Sequence, residues 1–137
     1  MSFKVHCPVE VRFRDCDAMG HVNNAVYLTY LEVARFAYWK AADIGRLEGD
    51  ISYIIARVEI DFRAPATTGQ VLDVAIAVTG FGRSSFSMAY DIRNRDGQVV
   101  AAAKSVQVAY DYAAGKTVPL PDSVRARIAE FEGRQLC

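Results

Sequence analysis

At 137 residues, with hydrophobic side chains making up 52%, the chain has enough apolar material for one domain spanning residues 1–137. Sixteen basic and sixteen acidic residues cancel, which argues against a nucleic-acid partner, whose binder normally carries a basic surplus. No apolar run approaches the ~20 residues that span a bilayer, so no membrane partner is expected. Met1-Ser2-Phe3-Lys4-Val5-His6 also lacks the apolar stretch of a signal peptide. A cytoplasmic location is the expectation.

Cys7, Cys16 and Cys137 are odd in number and fit no zinc spacing. They read as free thiols of a reducing compartment. Only Cys16 sits where a nucleophile is worth testing.

The first element alternates over residues 3–13. Phe3, Val5, Cys7, Val9, Val11 and Phe13 share one face, and Lys4, His6, Glu10, Arg12 and Arg14 the other. That is a half-buried strand, which Pro8 confines to an edge or a bulge. A polar loop follows, and then the period changes over residues 24–41. Ala25, Leu28, Leu31, Ala34, Ala37 or Tyr38, and Ala41 recur at three- and four-residue steps. Tyr27, Tyr30 and Phe36 widen this face, while Glu32, Arg35 and Lys40 lie mostly off it. A helix of about five turns is expected, broad enough in its apolar surface to be buried on more than one side. Residues 43–50, with Gly45 and Gly49, read as a helix stop and loop.

Four alternating runs come next. Ile54, Ala56, Val58, Ile60 and Phe62 share a face opposite Arg57, Glu59, Asp61 and Arg63. Leu72, Val74, Ile76 and Val78 form a second inward row, and Phe86, Met88, Tyr90 and Ile92 a third. Asn94-Arg95-Asp96-Gly97 reads as a hairpin turn. Val100, Ala102, Val106, Val108 and Tyr110 form the last row, with Lys104 its one polar member. Ala113-Ala114-Gly115 ends that strand. A short helix near 123–131 follows Pro119 and Pro121, with Asp122 or Ser123 as its cap. Short turns favour antiparallel neighbours. The order predicts an α+β domain in which a five-stranded antiparallel sheet curls round one long helix.

Chemistry concentrates in residues 15–24, between the first strand and the long helix. Here Asp15, Asp17, His21, Asn23 and Asn24 crowd a stretch where a plain connector would do. Gly20 permits a sharp turn. The asparagines stand where a helix N-cap is expected. A helix N-terminus offers unpaired N–H groups and a positive dipole end. A carboxylate beside it, with a carbonyl between them, makes a hydrolytic site. On local chemistry alone, Asp17 serves equally well as a turn or capping residue.

These residues resemble a known family. Residues 11–39, with the pattern Asp15-x-Asp17-x-x-Gly20 feeding a helix rich in Tyr, Leu and Ala-Arg, are similar to the opening of hotdog-fold acyl-coenzyme A thioesterases. The similarity is to the 4-hydroxybenzoyl-CoA thioesterase-like branch. Residues 58–78, 80–92 and 115–128 resemble that family's later strands and closing Pro-x-Pro helix. The resemblance implies a hotdog fold with a central helix and a short C-terminal one. It implies a homodimer joined sheet edge to sheet edge, paired again into a homotetramer, with active sites at subunit interfaces. It also implies an acyl-CoA substrate and needs no metal or redox cofactor. Asp17 would be the catalytic carboxylate, as general base or nucleophile, and the Asn24 backbone N–H the carbonyl-polarising group. One departure stands out: His21-Val22-Asn23-Asn24 replaces the more apolar or aromatic residues of the aromatic-substrate prototypes.

Around that pair, Gly20, His21, Asn23 and Tyr27 are candidates for substrate binding. Resemblance brings Ser84 or Ser85, beside Arg83, near a neighbouring subunit's site. Arg57, Arg63, Arg83 and Lys104 are candidates for the coenzyme A phosphates, since guanidinium geometry suits phosphate. Asp15 reads as scaffolding, bonded within the loop or paired with Arg12 or Arg14. No ligand cluster accompanies Asp15, Asp17 and His21, so no metal is expected. Two alternatives remain at this point. One is a non-catalytic module that binds acyl thioesters. The other is a hotdog enoyl-thioester hydratase, whose different Asp…His loop is not found here.

Overall fold

The computed structural model describes residues 2–45, 51–134 and 136. The elements run β1 (Val5–Glu10), α1 (Asn24–Ala42), β2 (Ile51–Phe62), β3 (Val71–Phe81), β4 (Ser85–Arg93), β5 (Val99–Asp111), β6 (Lys116–Thr117) and α2 (Asp122–Glu132). The sheet order is β1-β3-β4-β5-β2, every pairing antiparallel, with the two-residue β6 added to β5. The long helix α1, about 28 Å at 1.5 Å per residue, packs on one face, and α2 closes over the end of β3. No helix among the described residues is long and apolar enough to cross a membrane.

The middle of the sheet follows the alternation. Leu72, Val74, Ile76 and Val78 of β3 and Phe86, Met88, Tyr90 and Ile92 of β4 are all buried. Gly97, at φ 82, closes the β4–β5 hairpin. Pro8 lies on β1, an edge strand, where a missing N–H donor is harmless.

Elsewhere the alternation misled. β1 ends at Glu10, and residues 13–15 turn as a single 3₁₀ helix, leaving Phe13 85% exposed rather than on the apolar face. In β5 the buried row is Ala101, Ala103, Ser105, Gln107 and Ala109, not the row of Val106 and Val108. In β2 a bulge at Ala56 shifts the register, so that Ile55 pairs Gln107 and Arg57 pairs Val106. Tyr53 and Ile55 therefore share the core side with Val58 and Ile60, and Ile54 and Ala56 do not.

On α1 the buried residues are Tyr27, Tyr30, Leu31, Ala34, Arg35, Tyr38 and Ala42. Ala25, Leu28 and Ala41 of the expected stripe are exposed, and Arg35, expected off the face, lies on it. Its outer side still carries exposed Leu28, Val33 and Phe36. α1 ends at Asp43, itself left-handed at φ 56. Residues 46–50 of the expected loop, with Gly49, lie outside the described residues, as does Cys137. α2 begins after Pro121, and neither Asp122 nor Ser123 caps it with a side chain. Its buried Glu132 instead accepts hydrogen bonds from the Tyr38 hydroxyl at 2.6 Å and the Val78 N–H at 3.0 Å, tying α2 to α1 and β3.

Candidate active site

Two carboxylates two residues apart meet opposite fates. Asp15, on the 3₁₀ turn, points inward and is 2% exposed. It accepts the Arg12 N–H at 2.9 Å, the Arg12 guanidinium at 2.9 Å and the Tyr30 hydroxyl at 2.8 Å. Burial works against its ionisation, but the bonds from Arg12 and Tyr30 outweigh it and hold the carboxyl below its ordinary range. The same burial, with Asp15 opposite, pushes the Tyr30 phenol up. Asp15 is thus a strut joining the loop to α1, and its partner is Arg12 rather than Arg14. Its carbonyl takes the Asn23 N–H at 2.9 Å, which sets the start of the helix.

Asp17 lies on the exposed side of the turn. Its Oδ1 accepts the N–H of Met19 at 2.9 Å and of His21 at 3.2 Å. The backbone closes beneath it: the Asp17 N–H meets the His21 carbonyl at 2.8 Å, and the Gly20 N–H meets the Asp17 carbonyl at 3.0 Å. Gly20 makes this possible at φ 79, a conformation strained for any residue with a Cβ. One carboxylate oxygen is fixed, then, and Oδ2 has no partner among the described residues.

The helix start uses up its donors in order. The Ala25 N–H goes to the side chains of Asn23 and Asn24, at 2.9 and 3.0 Å. The Val26 N–H goes to the Asn23 carbonyl at 2.9 Å. The Asn24 N–H has no acceptor among the described residues. Asn24 lines a cleft of about 410 Å³ together with Asp17, His21, Tyr27, Phe62 and Arg63. Tyr27 forms a wall, its ring 5.3 Å from that of Phe62, and burial pushes its phenol up.

The structure therefore brings Asp17, His21, Asn24 and Tyr27 together, with Gly20 and Asn23 shaping the backbone beside them. It does not bring Arg83, Ser84 and Ser85 there. That turn packs at the far end of the sheet, where its carbonyls accept from Leu120, Ala109 and Arg125. Arg57 and Lys104 stand on the outer face of the sheet, and Arg57 faces Glu59 at 3.7 Å. Of the proposed phosphate ligands only Arg63 reaches the cleft. Phe62 was not foreseen there. Its clue was the strand's end beside Pro65, where the chain must turn toward the helix. Cys16 is turned to Thr68, its Sγ 3.3 Å from the hydroxyl, and does not line the cleft. Among the described residues no cluster of three or more His, Cys, Asp or Glu could hold a metal.

Known proteins share this arrangement of elements. A thioesterase from Thermus thermophilus, solved with coenzyme A and zinc, is 39% identical over 97% of this chain and 98% of its own, at a TM-score of 0.85. The long-chain acyl-CoA thioesterase FadM of Escherichia coli is 27% identical over 126 residues, 90% of this chain and 96% of FadM. A 1,4-dihydroxy-2-naphthoyl-CoA hydrolase of Synechococcus elongatus is 28% identical over 120 residues, 84% of this chain and 88% of its own. The model of the thioesterase-like superfamily matches residues 11–128, from just after β1 to the middle of α2, and the chain belongs to that superfamily.

Proposed function

We propose that the chain is an acyl-coenzyme A thioesterase in which Asp17 and the Asn24 N–H act on opposite sides of the thioester carbonyl. One observation carries this reading. Among the described residues the Asn24 N–H at the helix start has no acceptor, and it lies beside a carboxylate that has one oxygen held and one open. A carbonyl oxygen on the Asn24 N–H gains charge stabilisation as it becomes tetrahedral. Water next to the open oxygen of Asp17 loses its proton as it attacks. The C–S bond then breaks, and coenzyme A leaves as the thiol together with a carboxylic acid. In the nucleophilic variant the same oxygen attacks first, giving an acyl-Asp17 anhydride that water opens. Arg63, the cation lining the cleft among the described residues, is placed for a phosphate of coenzyme A. The reading assigns the enzyme to the cytoplasm, where its substrate and its free thiols are compatible.

The same reading needs a second copy of the chain. β2 is a 12-residue edge strand, and an open edge of that length invites pairing. Phe62 lies at one end of β2, in the Asp17 cleft; Ile51 and Ile55 lie at the other. Antiparallel pairing of two β2 edges sets the Asp17 cleft of one copy beside residues 51–55 of the next. The turn of Arg83, Ser84 and Ser85 is at that end too, since Ser85 pairs Val108 and Val108 pairs Ile54. The exposed apolar residues on α1 support a homodimer, which can pair again into a homotetramer.

The test is release of free thiol from a panel of short, medium, branched and aromatic acyl-CoAs by wild type and Asp17→Asn. Asparagine keeps an oxygen for the Met19 and His21 N–H groups, so the variant is expected to fold and to lose most turnover. Tight binding without release by wild type would indicate the binding module, and loss of enoyl absorbance without thiol the hydratase. Near-normal kcat in Asp17→Asn refutes the assignment. Single-turnover hydrolysis in labelled water separates the two variants, because an acyl-Asp intermediate passes enzyme oxygen into the product.

A further inference from the structure

A second cavity, of about 430 Å³, lies between α1 and the first half of β2. Its walls are Trp39, Tyr53 and Ile55, and Arg35 and Gln107 give it a polar floor. The Trp39 and Tyr53 rings lie 5.1 Å apart, tilted at 53°, and both meet Phe86 edge-on. The floor is the feature that packing alone does not account for.

Arg35 is 9% exposed, Ser105 2% and Gln107 1%. They are linked by hydrogen bonds. Arg35 Nη1 donates to the Tyr90 hydroxyl at 3.2 Å, and the Tyr90 and Ser105 hydroxyls are 2.6 Å apart. Ser105 bonds Gln107 Oε1, and Gln107 Nε2 donates to the Phe86 carbonyl at 3.2 Å. The chain of bonds fixes the guanidinium in place without neutralising it. No carboxylate among the described residues pairs with Arg35. Glu32, one turn away at the cavity rim, is exposed and makes no ion pair with it.

Among the described residues Nε and Nη2 of Arg35 have no acceptor. No side-chain nitrogen or oxygen sealed from solvent lacks a partner, so those two donors open into the cavity. A buried cation without a counter-charge is unfavourable, and a carboxylate entering the cavity would relieve that. A planar guanidinium offers it two parallel donors.

Arg35 stands eleven residues beyond Asn24, about 16 Å along the helix, so the cavity is remote from the Asp17 cleft of its own chain. Pairing of β2 edges brings it to the cleft of the second copy. We propose that this cavity receives the far end of the acyl group, and that Arg35 selects acyl chains ending in a carboxylate; the inference rests on the thioesterase reading and its paired β2 edges. The aromatic walls contact the methylenes of the chain, while Arg35 holds the terminal carboxylate. Tyr90, Ser105 and Gln107 are positioning residues that hold the guanidinium.

The experiment uses the intact wild-type oligomer and matched acyl-CoA pairs of six, eight and ten carbons. One member of each pair ends in a methyl group and the other in a carboxylate. Wild type is expected to favour the carboxylate member of at least one pair by about 10- to 100-fold in kcat/KM, the range of one charge-assisted hydrogen bond. In Arg35→Met the ratio falls to near one, and Arg35→Lys recovers part of it. A preference for the methyl member at every length, or the same ratio in Arg35→Met as in wild type, overturns the proposal. Calorimetric titration of wild type with the free dicarboxylic acids and with the diols of the same length gives a readout independent of turnover and of whether Arg35→Met folds. Tighter diacid binding supports the site, and equal affinity overturns it. Diacid preference with no thiol released from any substrate would sink the hydrolase reading and leave the anion site. Thiol release with no carboxylate preference would do the reverse.

Discussion

Replacing Asn24 with proline removes one atom of the proposed machinery, the amide hydrogen, from a position that accepts proline. Residue 24 is the first of α1, where a helix has no internal partner for the N–H and the proline ring is tolerated. The residue before it, Asn23, has φ −60 and ψ 136, in the extended region that a following proline requires. The cap survives, because Asn23 Oδ1 still accepts the Ala25 N–H at 2.9 Å. What is lost beyond the N–H is the second acceptor on Ala25, the Asn24 side chain at 3.0 Å. Asn24→Ala loses that acceptor alone and is the control.

Loss of one oxyanion donor is worth about 2.7–4 kcal/mol, or roughly 10²–10³ in kcat. Asn24→Pro is therefore expected to turn over at that fraction of the Asn24→Ala rate, with the two variants melting within a few degrees of each other. The assay is thiol release at saturating acyl-CoA, with kcat and KM separated. Equal falls in kcat and kcat/KM mark an interaction made only in the transition state. A rise in KM alone would mean that the ring merely crowds the cleft. A kcat within about threefold of the alanine variant, under ~0.7 kcal/mol, would refute the role of the Asn24 N–H.

Asp15 gives a stability prediction of definite sign. Its folded carboxyl lies below its unfolded value, so its contribution is complete above the unfolded pKa of about 3.9 and disappears as pH falls through the lower folded value. Asp15→Asn should lower Tm at neutral pH, flatten the acid limb of a Tm–pH curve below about pH 4, and leave the Arg12 guanidinium unpaired; an unchanged acid limb would contradict the strut. The second copy can be tested on α1: Leu28 is 46% exposed in the single chain, so Leu28→Asp should alter the stability of an isolated subunit by no more than about 0.5 kcal/mol. Light scattering should show its mass falling from an oligomer toward one chain, with turnover falling alongside. A monomeric wild type, or a monomeric variant with full turnover, would remove the interfacial site.

The parts of the fold that could be read from sequence were those whose large apolar side chains all fall on one face. β3 and β4 lie in the middle of the sheet with α1 on one side, and their large residues alternate with small or polar ones. Asp17 and Asn24 were legible for a different reason. A turn glycine and a helix cap fix the backbone locally, so the positions of these two residues follow from a few neighbours, while the roles proposed for them come from the resemblance. Arg83, Ser84 and Ser85 carried no such local determinant. Their distance from Asp17 is set by sheet order, and any shared site needs a second chain.

β5 and α1 show where the inference fails. Both rows of β5 are small or apolar for most of its length: Ala101, Ala103 and Ala109 on one, Ala102, Val106 and Val108 on the other. Alternation cannot choose between them, and larger side chains made the wrong row look like core. The row beneath α1 has to be small because Tyr27, Tyr30 and Tyr38 already fill that space, all three at 3% exposure or less. Ser105 and Gln107 on that row looked like solvent-facing residues, as Arg35 did on the helix. Each is acceptable inside only because the others are there: the Tyr90 hydroxyl needs both Arg35 and Ser105, and Gln107 needs Ser105 and the Phe86 carbonyl. A buried polar group is costly alone and acceptable when its bonds are made. Its position is therefore a property of four residues from three elements, and sequence spacing on any one of them does not contain it. The guanidinium, which that network orients but does not neutralise, has no carboxylate partner among the described residues, and the proposed substrate contributes one.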